Sequence, residues 1–232
     1  MKTVGIIGGL GPETTSEFYL ELLFGCQKKS SATRPPVLIW NVPLRLDVER
    51  EILEEAKNEE RILPLLIDAA KRLENGGADF LVMPCNSLHI FITEIRASVH
   101  IPVLSIVEET VCFLKKQKIS RAGVIATPTS IKHRLYENAF EREGIKYLVP
   151  DEFDQTKLGR IICSIVQNRG ANKDRVAFLK ILEKFRKQKV KHVLMACTDL
   201  QILIPQHDEM KIFDTMKIFA DATVAKILDS KP

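Results

Sequence analysis

The sequence predicts an α/β protein of two pseudo-symmetric lobes, each built around a parallel four-stranded sheet, with the ligand site in the cleft between them. Three observations carry that expectation. Short apolar, β-branched runs alternate with longer helical patterns, and each run ends in Gly, Pro or a small polar residue, which is the signature of βαβ units. The runs fall into two sets of four with a junction near residues 105 to 120, a repeat of pattern rather than of residues. Two runs in corresponding places deliver a cysteine to the C-terminal end of a strand, at Cys85 and Cys197. The length of 232 residues suits one large α/β unit or two small lobes, and a composition 45% hydrophobic and 28% charged excludes disorder as the main state.

Val4 to Ile7 read as the first strand, followed at once by Gly8-Gly9-Leu10-Gly11-Pro12. Glycine lets a backbone approach a ligand and Pro12 suits the first turn of a helix, so Gly9 and Gly11 are candidate substrate-binding positions. A dinucleotide fingerprint would want GxGxxG and an acid after the second strand, where this chain has Asn41. Val37 to Asn41 form the second predicted strand, with Trp40 expected in the core. Ile62, Leu65, Leu66, Ala69, Ala70 and Leu73 recur at helical spacing, and Gly76-Gly77 closes that helix. Phe80 to Met83 and Val103 to Ser105 complete the first set. Gly123 to Ala126, Tyr147 to Val149, His192 to Ala196 and Ile212 to Phe213 make the second, with a helical face at Val176, Leu179, Leu182 and Phe185. The helix from Met216 is expected to pack back on the first lobe. The expected domains are therefore residues 1–105 with 216–232, and residues 106–215, closely packed because no linker is rich in Pro or Ser.

The chemistry concentrates at the two strand-end thiols. In Met83-Pro84-Cys85-Asn86-Ser87-Leu88-His89 a hydrophobic strand presents Cys85 at its C-terminal edge, where the positive end of a following helix favours thiolate. Cys197 repeats the arrangement in Met195-Ala196-Cys197-Thr198-Asp199, 112 residues later. In pseudo-symmetric lobes the two thiols would flank one ligand. Cys26, Cys112 and Cys163 lie inside helical patterns and read as ordinary helix residues. Ala126-Thr127-Pro128-Thr129-Ser130 sits at the strand-to-helix turn matching the Gly-rich one, and its hydroxyls suit either a carboxylate or a helix cap. His89 is near enough to the first thiol to tune it, although a supporting role is the simpler expectation.

Two facing thiols, one ionised and one not, are suited to taking the α-proton of an amino acid and returning a proton to the opposite face. The anion-binding turns would hold the α-carboxylate, and the scheme needs no metal and no pyridoxal phosphate. Five widely spaced cysteines, without CxxC or Cys/His zinc spacing, fit free thiols better than disulfides or a metal site.

These segments together resemble the cofactor-independent aspartate/glutamate racemase family, in its aspartate racemase branch. The motifs are IGGLGP at the N-terminus, MPCNSLH, IPVLSIVEET, the Ala-Thr turn at 126–130, and ACTDL, spread from residue 3 to about 226. The resemblance implies two flavodoxin-like lobes, commonly paired as a homodimer, with Cys85 and Cys197 as the two bases. It implies that Asn86, Ser87, Thr127, Ser130 and Thr198 contact the substrate. It also places Val48, and Gln167 or Asn168, where the family holds basic residues that grip a side-chain carboxylate. Arg45, Arg50 and Arg169 lie close by and are the candidates to replace them.

The expected function is thus a cofactor-independent amino-acid racemase acting on aspartate or glutamate. The alternatives are a racemase of neutral or basic amino acids, a related isomerase or decarboxylase of small dicarboxylates, and a non-catalytic amino-acid-binding relative. A net charge of +4 with scattered positives argues against nucleic acid, and the basic run from Lys184 to Lys191 reads as a solvated helix end. No run approaches the roughly 18 apolar residues of a membrane span, and the first apolar stretch is short for a signal peptide, so a cytoplasmic location is expected.

Overall fold

A computed structural model of the chain describes all residues except 31–32, 167–171, 204–208 and 230–232. In chain order, β1 (Val4–Gly8) leads into α1 (Pro12–Lys29) and β2 (Val37–Asn41). A short α2 (Leu46–Arg50) runs into a π-helical turn (Glu51–Glu55) and a 3₁₀ turn (Glu59–Ile62), then α3 (Leu63–Asn75) and β3 (Phe80–Val82). Next come a 3₁₀ turn (Ser87–Phe91), α4 (Ile92–Ala97) and α5 (Ile106–Lys116). The second half holds β4 (Arg121–Ala126), α6 (Pro128–Lys132), α7 (Leu135–Arg142), β5 (Lys146–Leu148), α8 (Glu152–Val166) and α9 (Asn172–Lys187). It ends with β6 (His192–Ala196), a 3₁₀ turn (Thr198–Leu203), β7 (Lys211–Asp214) and α10 (Thr215–Leu228).

All pairings are parallel, in the orders β2-β1-β3 and β5-β4-β6-β7. In each sheet the first strand of its half is flanked by the second and the third, so the predicted repeat is a repeat of topology. β1 is buried along its whole length, as a parallel strand covered on both faces must be, and its sequence is accordingly apolar without alternation.

The fourth strand of the first sheet differs from expectation. Val103 makes one bridge to Leu81, through Leu81 N–H to Pro102 O (2.8 Å) and Leu104 N–H to Leu81 O (3.0 Å). The ladder stops there because Ser105 turns into the N-cap of α5 and the next N–H, of Ile106, donates to His89 Nε2 at 3.1 Å. Competition from a side-chain acceptor ended a strand that the β-branched run alone would have continued.

One continuous core joins the two sheets. Ile6 and Val82 from the first and Val124 and Leu194 from the second pack into the same cluster as Phe18, Leu114 and Phe219 of α1, α5 and α10. Separate clusters cover the outer faces, under α3 in the first half and under α8 and α9 in the second. α10 lies against α1 and α5, and its Ile227 carbonyl accepts from Lys2 N–H at 2.9 Å, tying the end of the described chain to its start. Asp214 caps it by accepting from Met216 N–H at 2.8 Å.

The segment between β2 and α3 reaches over to the second half. Ile52 O accepts from Thr129 Oγ1 (2.6 Å), Ala56 O accepts from Lys132 Nζ (2.5 Å), and buried Glu59 pairs with Lys132 and His133 at 3.0 and 3.1 Å. Left-handed Ala56 and Asn58 let the chain reverse between these contacts.

Candidate active site

Cys85 follows β3 and Cys197 follows β6, topologically equivalent strands of the two sheets, and both line one narrow cavity. Its open space is about 30 Å³, a slot rather than a bowl. Around each sulfur the local backbone repeats. The backbone N–H groups of Ser87 and Leu88 lower the cost of ionising Cys85, and those of Asp199 and Leu200 do the same for Cys197. Each thiol thus has two N–H groups of the turn that succeeds it to favour its thiolate.

Burial nevertheless decides the resting protonation. Loss of solvent pushes the Cys85 thiol up to about 12, with Asp199 and Glu49 adding to the rise and the two N–H groups opposing it. Cys197 is also held well above the ordinary thiol range, by burial first and then by the carboxylate of Asp199. The expectation that a helix terminus would favour thiolate is therefore corrected. Each cysteine leads into a short 3₁₀ turn, whose few aligned peptides cannot offset desolvation. Cys85 also raises Cys197.

The Gly-rich turn meets the site at Gly11, which lines the cavity. Gly11 has φ +34°, and a Cβ there would lie 2.7 Å from Asp199 Oδ1. Gly9, at φ +81°, packs against Asn41 instead and does not line the cavity. Asn86, Ser87 and Thr198 line it and are buried. Ser87 Oγ and Thr127 Oγ1 are 2.7 Å apart, and Thr127 Oγ1 donates to Ser130 Oγ at 3.1 Å while accepting from Ser130 N–H at 3.2 Å. The turn at 127–130 therefore does cap α6, and its hydroxyls reach the cavity only through Ser87. Beside the expected contact residues, Cys85 is braced by His89, whose Nδ1 lies 2.7 Å from the Cys85 carbonyl. Ile106 N–H donates to Nε2, which leaves the proton on Nδ1, and burial pushes this imidazole down to about 4, so it stays neutral.

Arg45 and Arg50 do not reach the slot. Arg45 faces solvent, its side chain 76% exposed in an ion pair with Asp47, and exposed Arg50 is not part of the lining. Arg169, with Gln167 and Asn168, lies outside the described residues. Val48 is buried in the first outer core. Among the described residues, the charges that do reach the cavity are Glu49 and Asp199. Asp199 accepts from Thr14 Oγ1 at 2.9 Å on one oxygen and from Cys197 Sγ at 3.8 Å on the other. Sequence reading passed over Glu49, because an acid in the mixed run Arg45 to Glu55 reads as a solvated helix face. Among the described residues no three His, Cys, Asp or Glu side chains are grouped to hold a metal ion.

A family model described as Asp/Glu/hydantoin racemase matches residues 7–223, from β1 into α10. The chain belongs to this family. With it comes the isomerase class expected from the motifs: the protein is an amino-acid racemase. It is 27% identical over 230 residues to a broad specificity amino-acid racemase of Bacillus subtilis, covering 97% of this chain and 98% of the relative. Among solved structures, an Asp/Glu racemase candidate from Yersinia pestis superposes with TM-score 0.85 at 26% identity, covering 99% of this chain and all of the other. The aspartate racemase of Picrophilus torridus shares the fold with TM-score 0.81 at 22% identity, over 98% and 94% of the two chains. No helix among the described residues is long and apolar enough to cross a membrane.

The raised thiols of the racemase have a measurable consequence. A thiol reacts as its thiolate, so alkylation of Cys85 by iodoacetamide should rise about tenfold per pH unit from about pH 8 to about pH 11. Peptide mass spectrometry would separate it from the exposed Cys112. A plateau below about pH 9 would mean that the N–H groups, not burial, govern Cys85.

Proposed function

We propose that the racemase inverts the α-carbon of a free amino acid by a two-base mechanism, with Cys85 acting from one face and Cys197 from the other. The observation that carries the reading is that equivalent strand ends of two topologically repeated sheets bring both thiols to one slot. Inversion needs a base on one face of the α-carbon and an acid on the opposite one, and a pseudo-two-fold arrangement supplies that pair. In one direction the Cys85 thiolate takes the α-proton and the Cys197 thiol donates its own to the other face; in the reverse direction the roles exchange.

The backbone N–H groups of the two turns favour thiolate at whichever sulfur has lost its proton, and the α-ammonium of the substrate brings a positive charge between two sulfurs that burial keeps neutral. Thr198 offers its hydroxyl to the α-carboxylate, Ser87 joins it by turning its O–H away from Thr127, and Asp199, already in contact with the Cys197 sulfur, offers a carboxylate to the ammonium. Holding the carboxylate by hydrogen bonds also stabilises the charge that develops on it as the α-proton leaves.

The test is deuterium exchange. L-amino acids incubated with the racemase in D₂O should gain deuterium at the α-carbon together with inversion to the D-enantiomer, followed by chiral chromatography and mass spectrometry. Exchange without inversion would reduce the site to a single base. Complete absence of exchange across a panel of acidic, neutral and basic amino acids would leave a binding protein.

A further inference from the structure

The slot has a charge imbalance that the two-base reaction does not use. A zwitterionic amino acid brings one carboxylate and one ammonium to the reacting centre. Ser87, Thr198 and Asp199 suffice for those, which leaves Glu49 over. Its carboxylate lines the cavity from α2, and among the described residues no group donates a hydrogen bond to it. Among the described residues, the charges that act on it are Asp199 and Glu13, both negative. Its sequence neighbours offer no compensation, since Arg45 is engaged with Asp47 at the surface and exposed Arg50 stays outside the lining. No Lys or Arg appears among the described residues that line the slot.

The same lining carries the aliphatic side chains Leu10, Leu44, Ile52 and Ile62. Aliphatic lining together with a carboxylate that no described cation compensates suits a polymethylene stem carrying a terminal cation. A substrate side-chain carboxylate there would meet Glu49 and Asp199, with no Lys or Arg from the described wall to pair with it.

Resting on the racemase reading above, we propose that Glu49 reads the substrate side chain and selects amino acids with a cationic one, such as lysine, ornithine or arginine, over aspartate and glutamate. Of the substrates expected from the sequence, this reading takes the basic alternative over the acidic one. Glu49 is then a specificity residue placed by α2, the element that spans from β2 toward the second half of the molecule.

Two readouts test it separately. In D₂O exchange, kcat/KM for L-lysine should exceed that for L-glutamate by about 100-fold or more. E49Q should cut the lysine-to-methionine selectivity ratio by about 30-fold, and E49R should shift preference toward glutamate. Titration calorimetry with L-lysine, L-methionine and L-glutamate should show the same order of affinity, with lysine losing its advantage in E49Q. A calorimetric preference for lysine that depends on Glu49 would support the assignment even if no substrate exchanged its α-proton, an outcome that would instead defeat the two-base reading. Preferential binding and turnover of aspartate or glutamate by the wild-type protein would overturn it. So would an E49Q variant that weakens lysine, methionine and glutamate equally, because Glu49 would then be holding the common α-ammonium.

Discussion

Replacing either Cys85 or Cys197 with serine is expected to lower racemisation in both directions by about 10³-fold or more. A positioned acid or base contributes about 10² to 10⁴, and a hydroxyl is a far weaker acid than a thiol even before burial disfavours its anion. Because inversion needs both groups, neither direction should be spared. The double variant should fall little below the single ones, since groups that act as a unit are not additive. The substitution is close to isosteric, and each site already presents two backbone donors to its side chain. Circular dichroism and melting curves should therefore stay near those of the wild type while chiral chromatography records the loss. One variant with near wild-type turnover would remove that cysteine from the mechanism and leave the other as a single base.

Truncating Asn86 to alanine should have the largest effect on stability. Its Oδ1 accepts from Tyr136 O–H at 2.5 Å, and its Nδ2 donates to Thr215 Oγ1 at 3.0 Å. Thr215 Oγ1 in turn donates to the Met195 carbonyl at 2.9 Å. This chain of bonds connects the residue after Cys85 to the strand that carries Cys197, through Tyr136 and Thr215, side chains with 1% and 0% exposure. Alanine would take away the acceptor of the Tyr136 O–H and leave Thr215 Oγ1 with only its bond to the Met195 carbonyl, and a buried polar group that loses its partner costs about 1 to 3 kcal/mol. A total near 3 kcal/mol corresponds to a melting temperature lower by about 6 to 12 °C in a chain of this size. T215V should cost less, and the double variant less than the sum of the two, because they interrupt one network. Turnover should fall in N86A as well, since the bond network sets the relation between the two thiol-bearing ends. A melting temperature within about 2 °C of wild type would show that solvent replaces the lost partners and that the network does not hold the site.

Much of the fold was legible because it depends on local pattern. Val4 to Ile7 is apolar at every position because the strand is covered on both faces, and the polar residues after Met83 and Ala196 announce where each chain leaves its sheet. The run Val103 to Ser105 misled, since nothing local reveals that His89 takes the N–H of Ile106. The arginines misled for a related reason. Arg45 and Arg50 lie in the right stretch of chain, but on a five-residue helix small rotations decide which side chains face inward, and this one turns Glu49 to the cavity.

By itself the sequence determined the places of the seven described strands, their division between two repeated parallel sheets and the two cysteines at matching strand ends. Each comes from the period of apolar residues and the turn chemistry beside it, over a few neighbouring positions. Tertiary structure alone decided the protonation of the thiols, the bonds of Asn86 to Tyr136 and Thr215, and the charge of the cavity wall. Desolvation and long-range partners set these, and both come into being only when residues as distant as Asn86 and Thr215, or Glu49 and Asp199, are packed around the same small volume.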